Sequence, residues 1–338
     1  MSSIAGTIDF ASSFSCPDVA ISAAQQRLRM LRLSITSKCN FRCCYCIPPE
    51  GVPKVAHAEL VRLERLGELV AWLTGETGIN RVRLTGGEPL IRRGVVDLVA
   101  RLSIVPQIEE VTLTTNGSLL AEMAEGLKSA GLNRVNISLD SLDPDRFAKI
   151  TRGGDLRKTL EGIEAAIAAG LTPVKLNAVL QRSTWKQDVP QLLDFAAEKG
   201  LEIRFIELMR TGTGREWCDS EFISAHEVCE GTHIETSSRE TVPNSSAQRT
   251  VIAWRGAPLM VGWITPRSHP FCQKCERLRM DAQGKLRRCL MDPTTLDLHS
   301  ILASEGESAA QGKFREFLAG KRPPLAMDNL IPMSQVGG

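Results

Sequence analysis

The sequence predicts an α/β fold: a partial (β/α)6 barrel of the TIM type followed by a small C-terminal region. Three observations predict it. From about residue 28, short β-branched-rich runs alternate with turns and helical stretches, and such alternation implies parallel strands joined by crossovers. Six of these units are present, fewer than the eight of a full barrel. The strand candidates also alternate in polarity, so that a polar face must point away from the covering helices.

Strands are expected at roughly 30–36, 80–85, 109–115, 133–139, 173–179 and 202–208. Helical stretches lie between them, for example over 60–73, 94–103, 119–130, 157–169 and 189–199. Leu31, Leu33 and Ile35 alternate with Arg32, Ser34 and Thr36; Val82 and Leu84 alternate with Arg83 and Thr85. The same pattern sets Thr114, Ser138 and Lys175 on the polar side of their strands. Crossover helices must cover the apolar faces, so the polar faces line the lumen. A lumen of Arg, Lys, Thr, Ser and Asn is a pocket for a polar, anionic ligand rather than a packed core. The segment 202–208 does not resolve into two faces.

Composition narrows the class. The chain has 338 residues, 43% hydrophobic and 24% charged, with a net charge of +2. That balance gives no global electrostatic case for nucleic acid. No apolar run approaches a membrane span, and the Ser- and Ala-rich start lacks the features of a secretion signal, so a cytoplasmic location is expected. The expected organisation is a flexible arm over 1–27, the barrel over 28–210, and a C-terminal region over 211–338.

Ten cysteines are present, and most fall into two tight groups. In a reducing compartment such grouping favours metal over disulfides. Cys39, Cys43 and Cys46 follow the first strand with the spacing C-x3-C-x2-C, and barrel chemistry sits on the loops after strands. Three thiolates suit a 4Fe–4S cluster with one iron left open. Zinc is the competing reading, with Cys44 as a crowded fourth ligand. Cys272, Cys275 and Cys289 form the second group, C-x2-C-x13-C, with Arg277 and Arg279 beside it. Two arginines on one face of an extended segment can hold a phosphate; without the cysteines they would read as solvated surface residues. Cys16, Cys44, Cys218 and Cys229 read as buried small side chains.

The first cysteine group, the Thr85-Gly86-Gly87-Glu88-Pro89 strip and the aromatic Tyr45 together resemble the radical S-adenosylmethionine (SAM) superfamily. The run from Leu31 to Cys43, the segments Leu113–Gly117 and Asn136–Asp140, the run Ser268–Cys272 and the terminal Gly337-Gly338 narrow this further. With them, residues 28–338 resemble the GTP 3′,8-cyclase family of molybdenum cofactor synthesis. The resemblance implies two 4Fe–4S clusters, one on Cys39, Cys43 and Cys46, the other on Cys272, Cys275 and Cys289 with an open iron for guanine. It implies SAM contacts at Tyr45, Gly87, Ser138 and Met209. It implies GTP contacts at Arg32, Arg83, Thr114, Lys175, Arg277, Leu278 and Arg279, with Arg32, Arg277 and Arg279 as the catalytic residues, and a Gly-Gly tail threading towards the site. It also implies an electron donor of flavodoxin type, a downstream pterin-forming enzyme, and a monomer or homodimer. The sequence departs from the family pattern at Ser37-Lys38, at Glu276, over 231–250 and over 321–325. A radical SAM peptide maturase with an auxiliary cluster, a diverged paralogue and a metal-binding regulator are the alternative readings.

Overall fold

The structure, a computed structural model, describes residues 28–48, 50–52, 55–211, 214–232, 234, 236–240, 247–272, 275–321, 328–329 and 333. The expected arm over 1–27, Cys16 and the Gly337-Gly338 tail lie outside the described residues. Each expected strand window contains a strand. These are β1 (Met30–Ser34), β2 (Arg81–Thr85), β3 (Glu110–Thr115), β4 (Arg134–Ser138), β5 (Lys175–Val179) and β6 (Glu202–Ile206). They lie side by side in that order, all parallel. Crossovers are α1 (Leu63–Glu76), α2 (Val95–Ser103), α3 (Ala124–Ser129), α4 (Pro144–Thr151), α5 (Leu156–Ala168) and α6 (Trp185–Lys199). The helix α4 was not expected; it is short, entered through Asp143, whose carboxylate accepts from the Arg146 amide, with Pro144 in the first turn.

The apolar faces pack outward under the helices. Leu31, Leu33, Val82, Leu84, Val135, Ile137, Ile203 and Phe205 are at most 1% exposed, against Leu66, Leu69 and Leu73 of α1 and Leu192 and Leu193 of α6. The polar faces point inward as expected. The 202–208 segment does resolve: Ile203 and Phe205 join the core, while Glu202 and Arg204 face in. They lie in a buried ion cluster, where Glu202 meets Lys175 at 2.8 Å, Arg204 at 2.7 Å and Arg249 at 3.1 Å.

The residues after 206 extend the sheet at both edges. In chain order they form β7 (Arg210–Thr211), α7 (Gly214–Glu221), α8 (Ala225–Gly231), β8 (Thr236–Glu240), β9 (Gln248–Trp254), β10 (Ala257–Ile264), β11 (Arg277–Met280), β12 (Lys285–Arg287), β13 (Thr295–Asp297), α9 (Leu298–Ser304), α10 (Glu307–Ala319) and β14 (Asp328–Asn329). Strand β10 pairs parallel with β6 and β11 pairs parallel with β1. The twelve-stranded order is β13-β12-β11-β1-β2-β3-β4-β5-β6-β10-β9-β8, an open sheet and therefore a partial barrel. No helix of the described residues is long and apolar enough to cross a membrane.

Candidate active site

The loop after β1 carries the first cysteine group and is set by the strip after β2. The Gly87 amide donates to the Thr36 carbonyl at 2.7 Å and the Glu88 amide to the Lys38 carbonyl at 2.8 Å. A Cβ on Gly87 would collide with the Ser37 and Lys38 carbonyls. The glycine thus permits close approach of backbone to the cysteine loop itself. Glu88 is 1% exposed and ties the strip to the end of β3, accepting from the Thr115 hydroxyl and the Asn116 amide, both at 2.8 Å. On the far side, the Tyr45 hydroxyl donates to Asp140 Oδ2 at 2.6 Å, and Asp140 Oδ1 accepts from the Val179 amide at 2.8 Å. The Phe41 ring meets Phe147 of α4 edge-on, with centroids 6.0 Å apart.

One cavity of about 410 Å³ opens over these loops. Cys39, Cys43 and Cys46 line one part of it, and Cys272, Cys275 and Cys289 line another. Tyr45, Gly87, Ser138 and Met209 line it as well. So do Arg32, Arg83, Thr114, Arg277 and Arg279. Among the described residues no group of three or more His, Cys, Asp or Glu forms a single-ion site. Three thiols on a cavity wall, with their remaining side left to a ligand, form a donor set that a 4Fe–4S cluster fits.

Two expected contacts lie elsewhere. Lys175 is absent from the cavity lining; it belongs to the ion cluster with Glu202, and burial and then Arg204 push its ammonium down to about 8. Leu278 is fully buried in the outer core, because it alternates with the two arginines that face in. Glu276 also lies off the cavity, 4.0 Å from Arg81.

The charge on the cavity wall is positive. Register places Arg83, Arg32 and Arg279 in one row across β2, β1 and β11. Burial first, and then Arg279, Arg83 and Arg277, push the Arg32 guanidinium well down. Burial raises the Cys275 thiol, but Arg277 and Lys321 outweigh it and bring it to about 7, the direction that favours the thiolate. In the first group burial dominates and lifts the Cys39 thiol to about 11.

Sequence reasoning missed several lining residues. Arg204 follows from the β6 alternation once Glu202 is set inward. Arg288 and Lys321 carry no local signal; Lys321 Nζ donates to the Arg277 carbonyl at 2.9 Å and so comes to the cavity from the end of α10. Asp140 closes the Asn136–Asp140 segment, and its role follows from its bond to Tyr45, which the segment alone does not signal.

Residues 33–196 match the radical SAM superfamily and residues 201–327 match Molybdenum Cofactor Synthesis C. The chain is 42% identical over 321 residues to the GTP 3′,8-cyclase of Moorella thermoacetica, covering 93% of this chain and 98% of that protein. It is 45% identical over 276 residues to the GTP 3′,8-cyclase of Peptoclostridium acidaminophilum, covering 81% and 83%. Among solved structures, Streptococcus suis SuiB bound to S-adenosylmethionine shares the fold, with a TM-score of 0.54 and 13% identity over 86% of this chain and 66% of that one. With the matched residues spanning the barrel and both cysteine groups, the chain belongs to the GTP 3′,8-cyclase family of radical SAM enzymes.

Proposed function

We propose that this chain is a GTP 3′,8-cyclase, which uses SAM to convert GTP to (8S)-3′,8-cyclo-7,8-dihydroguanosine 5′-triphosphate for molybdenum cofactor synthesis. The observation that carries this reading is that two thiol triads and a row of arginines face one cavity. Cys39, Cys43 and Cys46 would hold one 4Fe–4S cluster, and Cys272, Cys275 and Cys289 a second that takes the guanine. When bound, these clusters and SAM would supply the one-electron chemistry that makes a 5′-deoxyadenosyl radical for removal of the ribose C3′ hydrogen; joining C3′ to guanine C8 as the 7,8-dihydro product takes up one further electron and a proton, the electron coming from the donor.

The chain's own residues bind, orient and shield. Tyr45, Gly87, Ser138 and Met209 hold SAM, with the Tyr45 phenol fixed by Asp140. Arg32, Arg83, Arg277 and Arg279, with the Thr114 hydroxyl, hold the triphosphate through charge-assisted hydrogen bonds. Arg204, on the same wall, adds a further cation. Fixing the nucleotide at both base and phosphates turns an encounter into a positioned reaction. Within this reading the protein works in the cytoplasm as a monomer or homodimer. A flavodoxin-type donor supplies electrons, and a pterin-forming enzyme takes the product.

The test is turnover of the anaerobically reconstituted protein with GTP, SAM and dithionite. The expected result is 5′-deoxyadenosine and cyclised nucleotide in equal amounts, from protein holding about eight irons per chain as two 4Fe–4S clusters. No cyclised nucleotide from protein with both clusters intact overturns the reading.

A further inference from the structure

Glu207 follows β6 directly and is 1% exposed. Its carboxylate receives four hydrogen bonds, three of them from backbone. Oε1 accepts from the Ser268 hydroxyl at 2.5 Å and from the Ala225 amide at 3.1 Å. Oε2 accepts from the amides of Ser268 at 3.0 Å and Arg267 at 3.2 Å. The Arg267 guanidinium is turned away, stacked 3.8 Å over the Phe222 ring, so the carboxylate is met by N–H groups and one hydroxyl. The segment it grips is a closed turn, in which the His269 amide donates to the Thr265 carbonyl at 3.0 Å. Pro266 and Pro270 stiffen both ends of that turn. Immediately beyond come Phe271, whose ring lies 4.9 Å from the Arg277 guanidinium, and Cys272. Two residues after Glu207 stands Met209, on the wall of the same cavity.

One buried carboxylate therefore joins the Met209 end of the cavity to the Cys272 end. We propose that Glu207 is a positioning residue for the cyclisation. Its carboxylate holds the Thr265–His269 turn, and through it Phe271, Arg277 and Cys272, at a fixed separation from Met209. The inference rests on the proposed function, in which Met209 serves SAM and Cys272 serves the purine side. Under that reading the separation sets how the ribose hydrogen meets the deoxyadenosyl carbon. Glutamine cannot replace the carboxylate at this site. With its –NH2 at the Oε1 position it faces the Ala225 amide; at the Oε2 position it faces two amides at once. Either way a donor meets a donor.

The test uses Glu207→Gln in two states. In the cluster-free protein, the amides of Arg267, Ser268 and His269 should exchange with deuterium at least ~10-fold faster than in the unsubstituted chain, as expected when a local opening becomes easier. Amides of 36–47 should be unchanged. In the reconstituted enzyme the KM for SAM should stay within about twofold, because the groups that touch SAM are intact. The ratio of 5′-deoxyadenosine to cyclised product should rise roughly 10-fold or more, given how steeply rate falls with misplacement of reacting atoms. Ser268→Ala removes one of the four donors and should shift both readings the same way by less; it decides the matter if Glu207→Gln does not fold. Unchanged exchange and an unchanged ratio overturn the proposal. So does a loss of SAM cleavage and product in equal proportion. If the unsubstituted enzyme makes no cyclised product, the proposed function fails, while the exchange measurement still tests the tether.

Discussion

Arg32 and Arg279 stand opposite each other in register on the paired parallel strands β1 and β11, and both face the cavity. Arg83 flanks Arg32 on the other side. Burial first, and then neighbouring guanidiniums, push both Arg32 and Arg279 down, so this row of like charge weighs against stability. Replacing Arg279→Met should weaken GTP binding by about 1.5–3 kcal/mol, the range for hydrogen bonds to charged groups. It should also raise the melting temperature of the nucleotide-free protein, because a like charge leaves the row. Calorimetric titration with GTP and a thermal scan without it measure the two effects; a lower melting temperature contradicts the account.

Gly87 lies so close to the cysteine loop that a methyl group there meets the carbonyls of Ser37 and Lys38, which are backbone and cannot swing aside. Gly87→Ala should therefore cost about 1–3 kcal/mol, as overpacking does, and should move the loop that presents Cys39. Urea unfolding gives the first quantity. SAM binding to reconstituted protein gives the second, with a loss expected; wild-type affinity would show that the loop absorbs the methyl group elsewhere.

The barrel strands and their inward faces were legible because period-2 polarity is a local signal. Arg32, Arg83, Thr114 and Ser138 reach the cavity as that pattern implies. Polarity gives the face but not the depth, and this is where Lys175 escaped. It opens β5 beside Glu202, which opens β6, so both sit at the starts of their strands in a buried ion cluster, away from the loops. Leu278 came into the ligand set with its neighbours, although alternation alone turns it to the core. The joining of β10 and β11 to opposite edges of the barrel was not legible at all, since pairing between distant segments leaves no mark in either one. Short α4 escaped because eight residues give too few turns for a helical period to show.

Cys43 and Cys44 are neighbours with different surroundings. Cys43 lines the cavity, whereas Cys44 does not, and the Cys44 amide donates to the Ile150 carbonyl at the end of α4 at 2.9 Å. Cys44→Ser should leave the iron content of the reconstituted protein unchanged. Cys43→Ser should lose one cluster, about four irons per chain. Iron analysis with electron paramagnetic resonance separates the outcomes; equal losses in both variants would make Cys44 a ligand and reopen the zinc reading of this loop.

Helix α10 is strapped to the barrel at several points. Phe314 of α10 is fully buried and meets Trp72 of α1 with ring centroids 5.6 Å apart at 66°. Gln311 donates to Glu76 at the end of α1 at 2.8 Å. At the other end of α10, Arg288 from the cavity edge donates to the Phe317 carbonyl at 3.2 Å and lies 5.1 Å from the Phe317 ring. The helix thus braces a barrel crossover and a cavity residue together. Phe314→Ala leaves a void between two helices that are held by other contacts and so collapse only in part. The expected loss is about 3–5 kcal/mol, the range for removing a buried phenylalanine. Because Phe314 does not line the cavity, iron content and GTP affinity of the folded fraction should stay at wild-type values. Urea unfolding followed with and without GTP measures both; a change in midpoint worth less than about 1 kcal/mol would place α10 outside the cooperative core, against a typical burial cost several times larger.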